Sequence, residues 1–163
     1  MAQQRGLIWI STRFVGGKER LRLLLQELQQ IGEVEALSCI YKKYIGPRRE
    51  DLNSCLTVAL KIATDLRAEE LFVLLRSLEN LEVQDDLVLL AYGQEMRMMP
   101  GQNLPNPKLH VDSLTLRCAA EVWGEYQHPV LGQTLNELVR FSDPSKEVEF
   151  FAQGRSLFSP ESI

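Results

Sequence analysis

The chain has few cysteines, no long apolar run and no excess of positive charge. Its three cysteines, an odd number, each lie in an apolar stretch, which predicts reduced and buried thiols; they are Cys39, Cys55 and Cys118. No apolar run approaches the ~18 residues that a membrane span needs. The N-terminal residues lack the basic and then apolar order of a secretory signal. We therefore expect a cytoplasmic protein that does not insert into a membrane.

The charge balance argues against a nucleic-acid-binding protein. There are 18 Lys and Arg residues against 22 Asp and Glu, so the net charge is −4. Sheets that bind RNA need exposed aromatic residues and a positive field, whereas the strands predicted below are aliphatic. We expect no nucleic-acid partner.

The composition is that of one globular domain. The chain has 163 residues, of which 45% are hydrophobic and 25% charged. A chain of this length and composition can bury its own core without metals or disulfides, which excludes disorder as its main state.

The apolar periodicity predicts a β-α-β-β-α-β order, typical of a ferredoxin-like α+β core with an antiparallel sheet and two helices on one face. The expected strands are 6–11, 34–44, 53–63 and 86–92, and the expected helices are 18–31 and 67–79. A hairpin at Gly93-Gln94 and helices near 113–124 and 134–141 should follow as C-terminal additions. Residues 1–140 then form a single domain, and residues 141–163 a loosely attached C-terminal extension or tail.

Five colinear stretches resemble the 6-hydroxymethyl-7,8-dihydropterin pyrophosphokinase (HPPK) family of folate biosynthesis. They are DLNSCLTVAL (51–60), 68–79, DLVLLAYG (86–93), LPNPKLH (104–110) and HPVLGQTLNEL (128–138). The resemblance covers residues 6–140 and implies the same ferredoxin-like core. Family members transfer pyrophosphate from ATP to the hydroxymethyl group of a reduced pterin.

The resemblance also implies two magnesium ions held by paired aspartates. The first position falls on Asp86 and the second on Val88, which has no oxygen for a hard cation. Asp85 should point to the opposite side of the strand from Asp86, and Gln84 is neutral. Asp86 is therefore the one residual metal position, unless it merely caps the turn at the start of its strand.

The charged catalytic elements implied by the resemblance are missing. The segment 80–85, which stands where the family has a long basic loop, contains two acids and no Lys or Arg. The family's catalytic His falls on Asn106, and its following Arg falls where Val111-Asp112-Ser113 stands. An exchange of Arg for Asp would reverse the local field. We assign no catalytic residue.

Two residual pterin-site positions remain. Asn53 and Glu79 match family positions that contact the pterin ring, but the two stacking aromatics correspond to Asp51 and Leu114. Asn53 is equally compatible with a satisfied polar group at a strand edge. Glu79 ends a helix, where its negative charge meets an unfavourable dipole, which favours an inherited site, although solvated glutamates at helix ends are common.

Two other groups of polar residues are candidate sites. The basic cluster of Lys42, Lys43, Arg48 and Arg49 fits either an anionic ligand or a solvated loop. His110 and His128 have no Cys, His or acidic partner at the spacing of metal ligands, which argues against zinc.

Two hypotheses follow, and they leave open whether the chain is an enzyme. In the first it is a degenerate, non-catalytic scaffold without a cofactor that binds a protein or a small anionic ligand and that could form a homo-oligomer. In the second it is an active, divergent pyrophosphokinase that uses ATP and magnesium. The second needs Gln84 or Asp85 to aid Asp86, and basic side chains from a set of four: Arg13, Lys42, Lys43 and Lys108.

Overall fold

The computed structural model describes residues 3–142 and 148–158 and contains the predicted β-α-β-β-α-β order. The elements are β1 (Gln4–Arg13), α1 (Gly17–Gln29), β2 (Gly32–Leu37), β3 (Ile40–Tyr44), β4 (Ser54–Thr64), α2 (Ala68–Leu78), β5 (Asp86–Tyr92), β6 (Arg97–Met99), β7 (Gln102–Leu104), α3 (Lys108–Val111), α4 (Ser113–Trp123), α5 (Leu135–Val139) and β8 (Val148–Ala152).

The main sheet is antiparallel, with the order β5-β1-β4-β3-β8. β2 and β3 pair with successive halves of β4, so the extended segment predicted at 34–44 is one interrupted strand. Because side chains alternate along a strand, β1 contributes to two cores. Ile8 and Ile10 pack with α1 and α2, while Leu7 and Trp9 pack with α4. The ferredoxin-like α+β prediction is confirmed.

The predicted hairpin is displaced along the chain. A turn does follow β5 at Gly93, but residues 94–96 do not pair with β5. The paired strands are β6 and β7, joined through Pro100-Gly101. Gly101 has φ +74, a left-handed conformation that glycine adopts at little cost.

The expectation of a loosely attached tail is wrong for residues 148–158. β8 pairs with β3 at the sheet edge, and Leu157 beyond it is only 2% exposed and belongs to the α1–α2 core. Gly154 permits this close approach, since a Cβ there would lie 2.1 Å from the carbonyl oxygen of Ser38. Burial of Leu157 and pairing along β3 therefore anchor this segment. The remainder of the predicted tail, 143–147 and 159–163, lies outside the described residues.

The state of the cysteines follows the sequence prediction except at Cys39, which is less buried than expected. All three cysteines are free thiols; Cys55 and Cys118 are buried, while Cys39 is only partly buried. Burial raises the pKa of the Cys118 thiol, which makes it unreactive. In the described part of the chain, no helix is both long and apolar enough to cross a membrane.

Candidate functional site

A cleft of about 720 Å³ lies between α2, the start of β5 and the β6–β7 hairpin. Its floor is apolar, and its rim carries both acidic and basic side chains. The lining includes Phe72, Leu75, Arg76, Ser77, Glu79, Asp86, Leu87, Val88, Leu89, Pro100, Gly101, Gln102 and Asn106. The cleft therefore brings together Glu79 and Asp86, two of the three predicted site residues.

Asp86 and Val88 both line this cleft, as their spacing of two residues on β5 predicts. Asp86 is exposed and Val88 is partly buried, opposite Trp9 in the register of β1 with β5. Where the resemblance implies a second carboxylate, the cleft has the methyl groups of a valine.

Asp85 is buried and takes part in a separate network. Its side chain is 0% exposed and accepts hydrogen bonds from the Thr12 hydroxyl at 2.7 Å and from the Arg20 guanidinium at 2.7 and 2.9 Å. The backbone N–H of Asn80 donates a further bond at 3.0 Å. Asp85 does not line the cleft, and its two oxygens already have four donors. It is therefore not a replacement metal ligand.

Glu79 has both a structural contact and a free oxygen. It follows α2, and its Oε2 accepts a hydrogen bond from the backbone N–H of Leu87 at 2.8 Å. This bond links the end of α2 to the start of β5. The other carboxylate oxygen has no hydrogen-bond partner among the described residues.

The cleft does not fit the two magnesium ions that the resemblance implies. Arg76 contributes one positive charge and Glu79 with Asp86 two negative ones, so the charged lining has a net charge of −1. Within residues 3–142 and 148–158, no group of three or more His, Cys, Asp and Glu side chains could hold a metal ion.

Arg76 is the charged cleft residue that the sequence analysis missed. It lies on the polar face of α2, where a helical pattern predicts only solvent exposure. One guanidinium nitrogen lies 3.8 Å from the position that a Cβ on Gly101 would occupy, which places it beside the hairpin. Arg76 has no ion pair with any described residue. The helical pattern alone does not show that Arg76 lines the cleft, since this depends on the position of the β6–β7 hairpin.

Asn53, the third predicted site residue, does not line the cleft. It ends a short 3-10 turn, Asp51–Asn53, and β4 begins one residue later than expected. Its exposed amide donates to Glu50 at 3.4 Å. The structure thus places Asn53 in a solvated turn that precedes the strand.

Two acids that replace family site residues neutralise two lysines. Asp51 pairs with Lys42 at 2.5 Å, and Asp112 pairs with Lys108 at 3.3 Å. Burial alone would raise the pKa of Asp112, but the hydrogen bond from Thr115 and the nearby lysine charges outweigh it and lower that pKa. Asp112 therefore stays ionised, and Lys42 and Lys108 are engaged within the protein.

The basic cluster does not form one anion-binding patch. Lys42 and Lys43 are adjacent on β3 and so lie on opposite faces of the sheet. Arg48 pairs with Glu50 at 3.8 Å, and Arg49 pairs with Glu149 at 3.1 Å. The solvated-loop interpretation holds for the exposed Arg48 and Arg49 but is wrong for Lys42 and Lys43, which belong to β3, where Lys42 is buried.

The fold brings the rings of His110 and His128 together, a contact that their spacing in the chain does not indicate. The rings of His110 and His128 are perpendicular, with centroids 5.4 Å apart, because the fold packs α3 against the 128–133 turn. The Nδ1 of His128 accepts from the N–H groups of Val130 and Leu131, so its proton is on Nε2, which has no hydrogen-bond partner. Burial, then the charge of His110, lowers the pKa of His128. Neither nitrogen of His128 presents a lone pair to a metal.

The architecture and the cleft define a ferredoxin-like α+β domain elaborated with a hairpin, three further helices and an edge strand. No family model matches the chain, and no curated protein matches it. Solved structures do match. HPPK-DHPS of Plasmodium falciparum, as a triple mutant with SDX-DHP, has 10% identity and a TM-score of 0.74, over 91% of this chain and 45% of that chain. The wild-type enzyme alone has 10% identity and a TM-score of 0.70, over 91% of this chain and 48% of that one.

The chain therefore has an HPPK-like fold, as the resemblance implied. With pterin and p-hydroxybenzoate bound, the wild-type enzyme matches with 10% identity and a TM-score of 0.69, over 91% of this chain and 46% of that chain. This chain spans less than half the length of these neighbours. At such identities the likeness concerns the fold.

Proposed function

We propose that this protein is a degenerate pterin-pyrophosphokinase-like protein, a non-catalytic scaffold that binds a ligand. The observation that carries the proposal is that Val88, and not a second carboxylate, accompanies Asp86 on one face of the cleft. Phosphoryl-transfer enzymes act by positioning and by neutralising the polyphosphate charge. One carboxylate beside a valine does not provide the paired carboxylates with which the resemblance implies two magnesium ions are held.

The charge of the cleft supports the same proposal. Its net charge of −1 repels a triphosphate that lacks metal ions. The segment between α2 and β5 adds Glu82 and no basic residue, while its buried Asp85 is already neutralised by Arg20. The field is thus opposite in sign to the one that nucleotide chemistry needs.

The engaged lysines are a second, independent support. Of the four basic residues that the active alternative can draw on, Lys42 and Lys108 are already neutralised, by Asp51 and Asp112. These acids occupy the positions where the resemblance implies an aromatic ring and the region of an arginine. Each substitution removes a ligand contact and also occupies a neighbouring lysine.

The cleft itself supports a binding role over a purely structural one. A volume of about 720 Å³ lies within the range of small-molecule sites, which are apolar pockets with a few polar groups. Arg76 and Asp86, which form no ion pair within the described part of the chain, both line the cleft and are available to a ligand.

The decisive test is an assay of AMP release from ATP with 6-hydroxymethyl-7,8-dihydropterin and magnesium. We expect no turnover, and no magnesium-dependent ATP binding by isothermal titration calorimetry. Turnover that Asp86→Ala abolishes would overturn the proposal.

An active, divergent pyrophosphokinase has one observation in its favour. Glu79 is a second carboxylate in the cleft with Asp86, and magnesium is often held by one or two carboxylates together with substrate phosphates. In that case Glu79→Gln and Asp86→Asn would each abolish AMP release from an unmodified protein that shows it. Absence of release from the unmodified protein rejects this alternative.

A further inference from the structure

The polar groups of the cleft separate into an accepting end and a donating end. At the accepting end, near the start of β5, Asp86 has both carboxylate oxygens unpaired and Glu79 has one, among the described residues. Their neighbours on the cleft wall are apolar. This end can accept several hydrogen bonds and favours a positive charge.

The donating end lies towards the hairpin. Arg76 reaches the side of Gly101, and Gln102 uses its Oε1 to accept a bond from Arg97 at 3.2 Å, which leaves its NH₂ group available. Asn106 similarly accepts from the backbone N–H of Lys108 through Oδ1 at 2.9 Å and retains its NH₂ group. This end can donate several hydrogen bonds and favours a negative charge.

The two ends do not neutralise each other. Arg76 lies in the last turn of α2, and Glu79 is the residue that follows the helix, three positions further on. No ion pair forms between them, and Arg76 extends instead towards the hairpin. The lining of the cleft also includes apolar side chains such as Phe72 and Val88. Arg76 and Asp86 thus present opposite charges in one cleft, and an occupant that carries both charges can satisfy both.

We propose that the cleft binds a small zwitterion, with a carboxylate at the Arg76 end and a guanidinium or similar donor-rich cation at the Asp86 end. This inference rests on the proposed function, because a non-catalytic cleft needs a ligand other than a magnesium triphosphate. Carboxylate–guanidinium contacts are bidentate and charge-assisted, which gives both ends directional recognition. An apolar chain between the two charged groups contacts the apolar part of the lining.

Three matched probes test the proposal by calorimetry on the full chain. The first, 4-guanidinobutanoate, has both charges; agmatine replaces the carboxylate by an ammonium group, and pentanoate lacks the guanidinium. We expect 4-guanidinobutanoate to bind at least about tenfold more tightly than either analogue, since each loses one charge-assisted contact. Equal binding of the three, or no binding of 4-guanidinobutanoate at 10 mM probe (about the weakest affinity calorimetry resolves), would overturn the proposal.

A charge reversal provides the variant test. Arg76→Asp makes the donating end acidic, so the preference should change from 4-guanidinobutanoate to agmatine. Arg67, which pairs with Glu70 at the start of α2 and does not line the cleft, supplies the control. Arg67→Asp should leave the preference unchanged. An unchanged preference in Arg76→Asp would contradict the assignment.

The two proposals fail separately. AMP release from ATP overturns the non-catalytic function, whatever the zwitterion probes do. Weak or unselective probe binding without AMP release overturns only the ligand class and leaves the non-catalytic function standing.

Discussion

Asp85 and Asp86 are adjacent in the chain, yet they have different environments. Asp85 is buried and bound to Thr12, Arg20 and Asn80, whereas Asp86 is exposed in the cleft. The alternation of a strand separates their side chains, and the 3-10 turn before β5 directs Asp85 into the interior. The first carboxylate stabilises the fold and the second is available to a ligand.

This contrast predicts different effects of two conservative substitutions. Asp85→Asn should lower the free energy of unfolding by about 3 kcal/mol, because it leaves the Arg20 charge without its partner in a partly buried position. Asp86→Asn should change it by no more than about 0.5 kcal/mol, because Asp86 is exposed and unpaired. Urea denaturation of both variants measures the difference. Equal effects would contradict the separate roles.

His128 predicts a pH dependence of stability. Burial, then the charge of His110, lowers its pKa in the folded state below the ordinary value of 6.5. As pH falls below about 6.5, the unfolded chain takes up a proton that the folded chain does not. The free energy of unfolding should therefore fall with decreasing pH, by at most about 1.4 kcal/mol per pH unit for this group.

His128→Asn tests this dependence, because an Asn carbonyl can still accept from the 130 and 131 N–H groups but does not titrate. Between pH 7.5 and 5.5 the variant should lose less stability than the unmodified protein in urea denaturation. His110→Asn, at an exposed position, is the control and should keep most of the loss, since burial is the larger cause. An identical loss in His128→Asn would refute the assignment.

At the scale of elements, the C-terminal segment is part of the sheet and the core. β8 extends the sheet beyond β3, and Leu157 packs among residues of the α1–α2 core. The backbone carbonyl of Leu157 also accepts a hydrogen bond from Arg22 on α1 at 3.3 Å. The segment thus covers an edge of the core that the rest of the chain leaves open.

Shortening the Leu157 side chain to alanine measures how much this segment contributes to stability. Leu157→Ala should cost about 3 kcal/mol in unfolding free energy, because a buried leucine leaves a cavity. The neighbouring Phe158 is 46% exposed, so Phe158→Ala should cost about 0.5 kcal/mol. Urea midpoints compare the two. A cost for Leu157→Ala as small as that of its neighbour would mean that the segment is not anchored.

At the scale of the whole molecule, the HPPK-like framework and the charges of its site follow different constraints. The apolar faces of strands and helices form two continuous cores. The charged residues of the cleft are Arg76, Glu79 and Asp86, which give it a net charge of −1. One fold can support different site chemistries, because packing and site electrostatics depend on different residues.

Introducing a second carboxylate at position 88 tests whether metal binding depends on the charges of the cleft separately from the packing of the fold. Val88→Asp should place two carboxylates on one face of the cleft and increase the affinity for Mn²⁺ with ATP by about tenfold or more, since each carboxylate is a strong ligand for hard cations. Val88→Asn is the control, because asparagine has the shape of aspartate without its charge, and it should gain little affinity. Calorimetry measures the affinities, and circular dichroism checks that both variants fold. Equal affinities in the two variants would show that geometry beyond this position prevents metal binding.

The amino-acid sequence alone determined the alternating strands, the leucine faces of α1 and α2 and the divergence of Asp85 from Asp86. These are local properties, set by the periods of strand and helix. Tertiary structure decided which distant groups meet, namely Arg76 with the hairpin, His110 with His128, and Leu157 with the core. Tertiary structure also decided two local ion pairs, Asp51 with Lys42 and Asp112 with Lys108. The sequence pattern did not specify in which direction those side chains point. Periodicity encodes which face a side chain occupies, but contact between segments depends on how those faces pack.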